Sequence, residues 1–228
     1  MYLSKRLLMI ASLVPKDHKI VDVGTDHAYL PIYLVEKGIC PRAIATEVRL
    51  GPFHIANRNI KMAGLKEKID VRLGFGLEPI SMGEVNTAII AGMGSESIID
   101  IIKKSKDKVS SLDLLILQPM TKIPVLRKQL FDMGFEILDE KVVKEEQRFY
   151  EILIVKMQGE KRHYDDIDLY VGPIIRQMKN SVNIDYIKTK KEKLENLLLK
   201  IRLIKTDGSR RALKKYEKQL EMLEEVLQ

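Results

Sequence analysis

Tryptophan is absent from the 228 residues, and there are only five phenylalanines and eight tyrosines. An extended aromatic platform for stacking single-stranded nucleic acid is therefore not signalled. The single cysteine, Cys40, excludes an internal disulfide framework and any multi-thiolate zinc or iron–sulfur centre, and it points to a reducing cytoplasm. His18, His27, His54 and His163 show no metal-ligand spacing, so no metal is expected. Long apolar runs are also missing. The longest, Leu7 to Val14, is eight residues with a serine inside it, against the ~20 needed to cross a bilayer. It follows Lys5 and Arg6 as a signal peptide would, yet no A-x-A-like cleavage site comes after it and a strand pattern begins at Lys19. The segment reads as an amphipathic helix, and no membrane partner is expected.

What is present is a core-forming composition with a basic excess. Hydrophobic residues make up 45% of the 228 residues, and 26.2 kDa is enough for one full-sized domain and a small appendage. Lysine and arginine total 39 against 32 acids, a net charge of +7. Sixteen basic and twelve acidic residues fall in 160–228, so +4 of that excess belongs to the tail. Such a balance favours a polyanionic partner such as nucleic acid. A basic soluble protein with no such partner fits the charge equally well.

The pattern divides the chain near Gly159. Before it, helix signals at Leu3–Leu13, Ala28–Glu36, Pro52–Met62, Ser95–Lys103 and Ile123–Met133 alternate with strand signals. The strands are Lys19–Val23, Ala43–Glu47, Asp70–Leu73, Thr87–Ala91 and Leu114–Leu117. Unbroken apolar runs such as Thr-Ala-Ile-Ile-Ala suit parallel strands buried on both faces. Phe135–Val143 and Tyr150–Met157 then follow with only the polar Lys144–Arg148 between them, which predicts a terminal β-hairpin. This α/β order is that of a class I, Rossmann-like methyltransferase sheet, and other doubly wound folds match the pattern nearly as well. The domain boundaries are thus 1–159 and 160–228. In the tail, Ile187, Leu194, Leu197, Ile201 and Ile204 form one apolar seam, with Lys190 its one polar member. Leu213, Tyr216, Leu220, Leu223 and Leu227 form a second. Thr206-Asp207-Gly208-Ser209 breaks the pattern between them, so an antiparallel coiled-coil hairpin is expected. Gly172-Pro173 is expected to open a shorter helix ahead of it.

Candidate site residues cluster after the strands. Val21-Asp22-Val23-Gly24-Thr25-Asp26-His27-Ala28 leaves the first strand and enters a helix, the place where open α/β sheets bind nucleotide-like ligands. Gly24 permits a tight turn and close approach of a ligand. A dinucleotide fingerprint would need glycines where Asp26 and Tyr29 stand, so NAD and FAD are disfavoured. S-adenosylmethionine, with its cationic sulfonium and ammonium, tolerates Asp22 and Asp26. Thr25 or Asp26 can equally serve as a helix N-cap. Glu47 closes the second strand 23 residues beyond Gly24, where an acid can accept both ribose hydroxyls of an adenosyl group; an ordinary surface glutamate is the alternative. Gly74-Phe75-Gly76 follows the third strand, where such folds hold adenine, or is a plain loop. Ala91-Gly92-Met93-Gly94 follows the fourth and lacks the Asn/Asp-Pro-Pro-aromatic motif of many amino-methylating enzymes. Its glycines let a planar base lie on backbone, or serve close helix–strand packing. Gln118-Pro119 lines the same cleft or merely ends the fifth strand. Lys5, Arg6 and the Lys188–Lys193 cluster (Lys188, Lys190, Lys191, Lys193) are the favoured RNA contacts.

These residues resemble the TrmK-type bacterial tRNA methyltransferases, which methylate N1 of adenine 22. The resemblance covers essentially the whole chain. It rests on Leu3-Ser4-Lys5-Arg6-Leu7, on Asp22-x-Gly24-Thr25-Asp26-His27-Ala28-Tyr29-Leu30-Pro31 and on Glu47-x-x-x-Gly51-Pro52-Phe53. It continues through Ala56-x-x-Asn59, Arg72-Leu73-Gly74-x-Gly76-Leu77, Ile90-Ala91-Gly92-Met93-Gly94 and Leu115-x-Leu117-Gln118-Pro119. It implies S-adenosylmethionine held by Asp22, Gly24, Thr25, Asp26, His27, Glu47, Gly74, Phe75, Gly76, Ala91, Gly92 and Met93. It implies a tRNA partner and in-line methyl transfer; the strand-end loops make Gly92, Met93, Gly94, Gln118 and Pro119 the expected base pocket, and their place beside the cofactor motif makes Asp26 and Tyr29 the catalytic candidates. A cytoplasmic monomer is expected. Phe75 stands where the family usually has aspartate, Ser95 where it usually has a second glycine, and Met120 where asparagine is common.

Overall fold

The computed structural model describes residues 2–160, 163–204 and 206–228, in two compact units, Met1–Arg162 and His163–Gln228. The first unit runs α1 (Lys5–Ser12), β1 (Ile20–Val23), α2 (Tyr29–Glu36), β2 (Ala43–Glu47), α3 (Leu50–Met62) and β3 (Ile69–Leu73). It continues with β4 (Thr87–Met93), α4 (Ser95–Lys104), α5 (Lys106–Ser110), β5 (Leu114–Pro119), α6 (Ile123–Asp132), β6 (Phe135–Glu145) and β7 (Arg148–Met157). The expected elements form with ends displaced by up to two residues, and α5 is an addition.

All seven strands join one sheet in the order β3-β2-β1-β4-β5-β7-β6. Strands β1 to β5 are parallel, and β7 is antiparallel to β5 and β6. Residues of β1 and β2 are buried throughout, which is why they read as continuous apolar runs rather than alternating ones. One core cluster gathers Val21, Val23, Ala88, Ile90, Leu115 and Leu117 with Ile98 and Leu126. The other gathers Ile20, Ala43, Ile89 and Ile116 with Ile10, Leu34 and Ile60. Alternate strand residues thus face opposite helical layers. The chain order reverses between β1 and β4, and that switch point opens a crevice at the carboxyl ends of the strands.

Where the sequence suggested a five-residue polar link between the last two strands, pairing continues to Glu145↔Arg148. Only Glu146-Gln147 turns, with Glu146 at φ 52°, because two-residue hairpin turns need positive φ to match strand twist.

The second unit contains α7 (Asp166–Tyr170), a 3₁₀ turn (Ile175–Gln177), α8 (Ser181–Arg202) and α9 (Asp207–Leu227). No α-helix opens at Gly172-Pro173. Gly172 has φ 114° and leads only into the 3₁₀ turn. The short helix lies ahead, started by an Asp165–Asp168 capping box. Thr206 caps α9 in a capping box with Ser209, so the supposed break is already the first helical turn. The ion pairs Arg202–Glu217 and Lys191–Glu224 run in opposite order along α8 and α9, making the pair antiparallel. The buried seam of α8 also differs from the expected one. Leu198 is buried at 2% exposure, whereas Leu197 and Ile204 stand out at 38% and 54%. Among the described residues, no helix is long and apolar enough to cross a membrane and no side-chain cluster suits a metal.

Candidate active site

A cavity of about 510 Å³ opens at the carboxyl ends of β1, β2 and β4. Its floor is the turn after β1. Gly24 has φ 67°, and the Gly24 and Thr25 N–H groups both donate to the Thr46 carbonyl, at 2.8 and 3.1 Å. A Cβ on Gly24 would meet only the ε-methyl at the far end of the flexible Met93 side chain, so it is the left-handed backbone that holds the position to glycine. Asp22 lines the cavity from within β1. Burial pushes its carboxyl up to about 6, against weaker lowering by the Thr25 hydroxyl and the Arg6 guanidinium.

His27 and Ala28 follow with φ 61° and 59°, two consecutive left-handed residues that are not glycine. Strain of this kind persists only where neighbours hold it. Here the Asn59 side-chain amide donates to the His27 carbonyl at 3.0 Å. Ala28 is the N-cap of α2 and makes no side-chain cap bond. Neither Thr25 nor Asp26 caps that helix, so the capping alternative for these residues falls away. Asp26 is exposed, lines the cavity and pairs with His27 Nε2 at 3.0 Å. The His27 ring stacks on Tyr29 at 5.4 Å between centroids, and Tyr29 faces the cavity. Thr25 is buried and His27 supports Tyr29; neither lines the cavity.

The β2 and β3 ends form the opposite wall. Glu47 is 5% exposed, and its Oε1 accepts the Val48 and Arg49 N–H groups at 3.0 Å each. Oε2 accepts no hydrogen bond among the described residues. The Gly74 N–H donates to the Glu47 carbonyl at 2.9 Å, and Thr46 Oγ1 donates to the Gly76 carbonyl at 2.9 Å. These bonds carry Gly74, Phe75 and Gly76 to the cavity wall. The Phe75 ring packs on the core and has Lys104 Nζ 4.5 Å from its centroid.

The β4–β5 register shifts between Ala91 and Met93, where Gly92 has φ 77°. This bulge frees the Gly92 N–H, which donates to Gln118 Oε1 at 3.1 Å. Gln118 is fully buried; Oε1 also accepts from Arg6 Nη1 at 2.6 Å, and Nε2 donates to the Pro119 carbonyl at 2.9 Å. Ala91, Gly92 and Met93 line the cavity. Gly94, Gln118 and Pro119 do not: Gly94 is the N-cap of α4, and β5 extends to Pro119 with the Gln118 amide spent on internal bonds.

A family model described as a methyltransferase domain matches residues 3–153. The tRNA (adenine(22)-N(1))-methyltransferase of Bacillus subtilis (strain 168) is 34% identical over 99% of this chain and 97% of its own length. The chain belongs to the tRNA (adenine(22)-N(1))-methyltransferase family. Among solved structures, the B. subtilis m1A22 tRNA methyltransferase TrmK superposes with a TM-score of 0.89, at 32% identity over 100% of this chain and 99% of that one. A Streptococcus pneumoniae protein solved with S-adenosyl-L-methionine superposes at 0.87, with 36% identity over 100% of both chains.

Within this family member, the cations assigned to RNA from sequence divide into two groups. Arg6 points into the cavity. Lys5 is exposed, with its backbone N–H on Glu145 Oε1. In the tail, Lys190 donates to the Tyr170 carbonyl at 2.7 Å and Lys191 pairs with Glu224 at 2.8 Å. Lys188 and Lys193 remain exposed. Two features escaped the sequence reading. Arg6 stands one turn before the fully buried Ile10, a charge on an apolar stripe that was the available signal. Behind the sheet, fully buried Arg127 bonds Glu140 and Glu151 at 2.7 and 2.5 Å, and nothing in their separate positions pairs them.

Proposed function

We propose that this chain is an S-adenosylmethionine-dependent methyltransferase that modifies N1 of adenine 22 in tRNA. The observation that supports it most is the donor set of the crevice: Glu47 with an uncommitted oxygen, a glycine turn at Gly24, and buried Asp22. These suit ribose hydroxyls, close backbone approach and a cationic ligand, and they do not suit a pyrophosphate. When bound, S-adenosylmethionine supplies an electrophilic methyl carbon to the lone pair on adenine N1.

The chain's own residues have three tasks. Glu47 takes the ribose hydroxyls, while Phe75 and its flanking glycines pack the adenine of the cofactor. The Tyr29 ring, stacked on His27, offers a face for the target base beside Gly92 and Met93. Neutral adenine already has its N1 lone pair, so no general base is needed. Orientation of bound reactants supplies up to ~7–11 kcal/mol. The product base is cationic, and Asp26 stabilises the charge that develops on it. At ~4 Å such a pair is worth about 1 kcal/mol in water and several times that where bound ligands exclude water from it.

N1 is the Watson–Crick acceptor, so a paired adenine must first be extruded at a cost of a few kcal/mol. Binding of the tRNA body offsets that cost. We assign this to the second unit, acting as a coiled-coil hairpin through Lys188 and Lys193, with Lys5 on the first. The protein works on tRNA in the cytoplasm as a monomer.

The test is methyl transfer from labelled S-adenosylmethionine to unmodified tRNA transcripts with adenine or guanine at position 22. Label on the adenine-22 transcript alone is expected. Label on both would discard the position, and absence of both transfer and cofactor binding would discard the reaction.

A further inference from the structure

A second cavity, of about 380 Å³, opens at the amino ends of β1, β2 and β3, the far end of these strands from the crevice. Besides Arg72, its lining carries the cations Lys19, Arg42, Lys66 and Lys68. Three of these form a row. Lys19, Arg42 and Lys68 each stand one residue before a strand, and the residues that follow them, Ile20, Ala43 and Ile69, lie side by side in the sheet. The ladder reaches back to the row itself, since the Ile20 and Ala43 N–H groups donate to the Arg42 and Lys68 carbonyls at 3.3 and 3.0 Å. Adjacent strands are ~4.8 Å apart, so three like charges leave neighbouring backbone positions and repel one another.

Nothing in the cavity offsets that row. Arg72 Nη1 and Nη2 donate to the two oxygens of Glu84 at 2.8 and 2.6 Å, and Nε donates to Asp70 at 2.7 Å. These bonds hold the Glu84 carboxyl down to about 2 and keep both acids on Arg72. Glu67 is the remaining acid of the lining. Among the described residues, none of Lys19, Arg42, Lys66 and Lys68 forms an ion pair. Helix dipoles do not account for the row either. Helices α2 and α3 end just ahead of β2 and β3, but Lys37 at one end and Lys61 at the other already serve them, and neither lines the cavity.

A tetrahedral oxyanion of more than one charge accepts from several donors at once, and Arg42 offers it a bidentate fork. A carboxylate, with one charge, answers three cations less well. We propose that this cavity is a phosphate-binding site, with Lys19, Arg42 and Lys68 as its receptor row. It lies about a strand length, ~15 Å, from the crevice, so its ligand is not the nucleotide being methylated. A phosphodiester of bound tRNA and a free phosphorylated metabolite share this chemistry, and the experiment separates the two sources.

The full-length protein is titrated calorimetrically with inorganic pyrophosphate at low ionic strength, a measurement independent of the methyl-transfer reading. Wild type is expected to bind saturably, and Arg42→Gln/Lys68→Gln at least tenfold more weakly. Lys37→Gln/Lys61→Gln removes the same charge outside the cavity and should keep the affinity within twofold. On the wild type alone, pyrophosphate should shift the amide resonances of Ile20, Ala43 and Ile69 and leave those of Gly24 and Gly92 at the crevice in place. A raised KM for tRNA in the cavity variant, with the slope of log affinity against log salt reduced by ~1–2, would assign the phosphates to tRNA. Unchanged tRNA kinetics with pyrophosphate binding lost would assign them to a free phosphorylated ligand. No saturable binding by wild type, equal losses in the two double variants, or resonance shifts at the crevice instead of the strand starts would each overturn the proposal.

Discussion

Asp22 should make the unliganded protein less stable as the solution becomes more alkaline. It sits in β1 between Ala45 of β2 and Ile89 of β4, and burial raises its carboxyl from 3.8 to about 6. At 1.36 kcal/mol per pK unit the shift corresponds to ~3 kcal/mol. The folded state holds the Asp22 proton more tightly than the unfolded chain. Between pH 3.8 and about 6 it therefore binds the larger number of protons, and stability falls as pH rises through that window. Asp22→Asn removes the titration while keeping the shape. The variant should exceed wild type by ~3 kcal/mol at pH 8 and by only ~1 kcal/mol at pH 4.5, read from paired urea denaturations. The cofactor's cationic end should reverse the balance by favouring the ionised carboxylate. Near pH 6, wild type should release about half a proton per S-adenosylhomocysteine bound, and Asp22→Asn about half a proton less, measured calorimetrically in two buffers of different ionisation enthalpy. A stability difference independent of pH, or identical proton release from both proteins, would refute the reasoning.

Gly24→Ala should fold but lose most cofactor affinity, because alanine pays ~1–2 kcal/mol for the left-handed turn and its Cβ displaces Met93; calorimetric titration reads the loss. Glu47→Gln should weaken S-adenosylhomocysteine by about tenfold or more through loss of the carboxylate acceptor, with an unchanged melting temperature. Asp26→Asn should lower kcat about fivefold, in line with ~1 kcal/mol of lost charge stabilisation, and an unaltered kcat with unaltered cofactor affinity would remove Asp26 from the chemistry. Arg127→Met should destabilise the protein by ~3–5 kcal/mol in urea, since it removes the buried guanidinium that bonds both Glu140 and Glu151.

The parts of the fold that were legible are those whose environment repeats along the chain. Strands buried on both faces read as unbroken β-branched runs, and helices against them read by their spacing, so β1 to β5 and their crossovers lie within two residues of expectation. Turn chemistry was less visible. Lys144–Arg148 looks polar enough for a loop, yet three of those residues pair across the hairpin, because polarity records exposure and not backbone pairing. The α8 seam departs from expectation at Leu197, within the helix, and at Ile204, which lies beyond the helix end at Arg202. Leucine occupies 197, 198 and 199, and spacing alone does not say which of three adjacent leucines faces α9.

The site was legible to the extent that backbone made it. Gly24, Glu47, Phe75 and Gly92 occupy strand ends, and a parallel sheet delivers its strand ends to one crevice whatever the side chains between them do. Side-chain partnerships across the sheet were not legible. Gln118 was expected to line the base pocket because it ends β5, but the bulge at Gly92 exposes an N–H that competes for its amide, and the amide turns inward. That inward turn in turn fixes Arg6, 112 residues away in sequence, at the crevice and away from the outer surface where a basic residue near the N-terminus is ordinarily assigned. One backbone irregularity therefore redirects two side chains. A charge on the apolar stripe of α1 is the sign of it that the sequence carries, and it becomes interpretable only when its neutral partners are known.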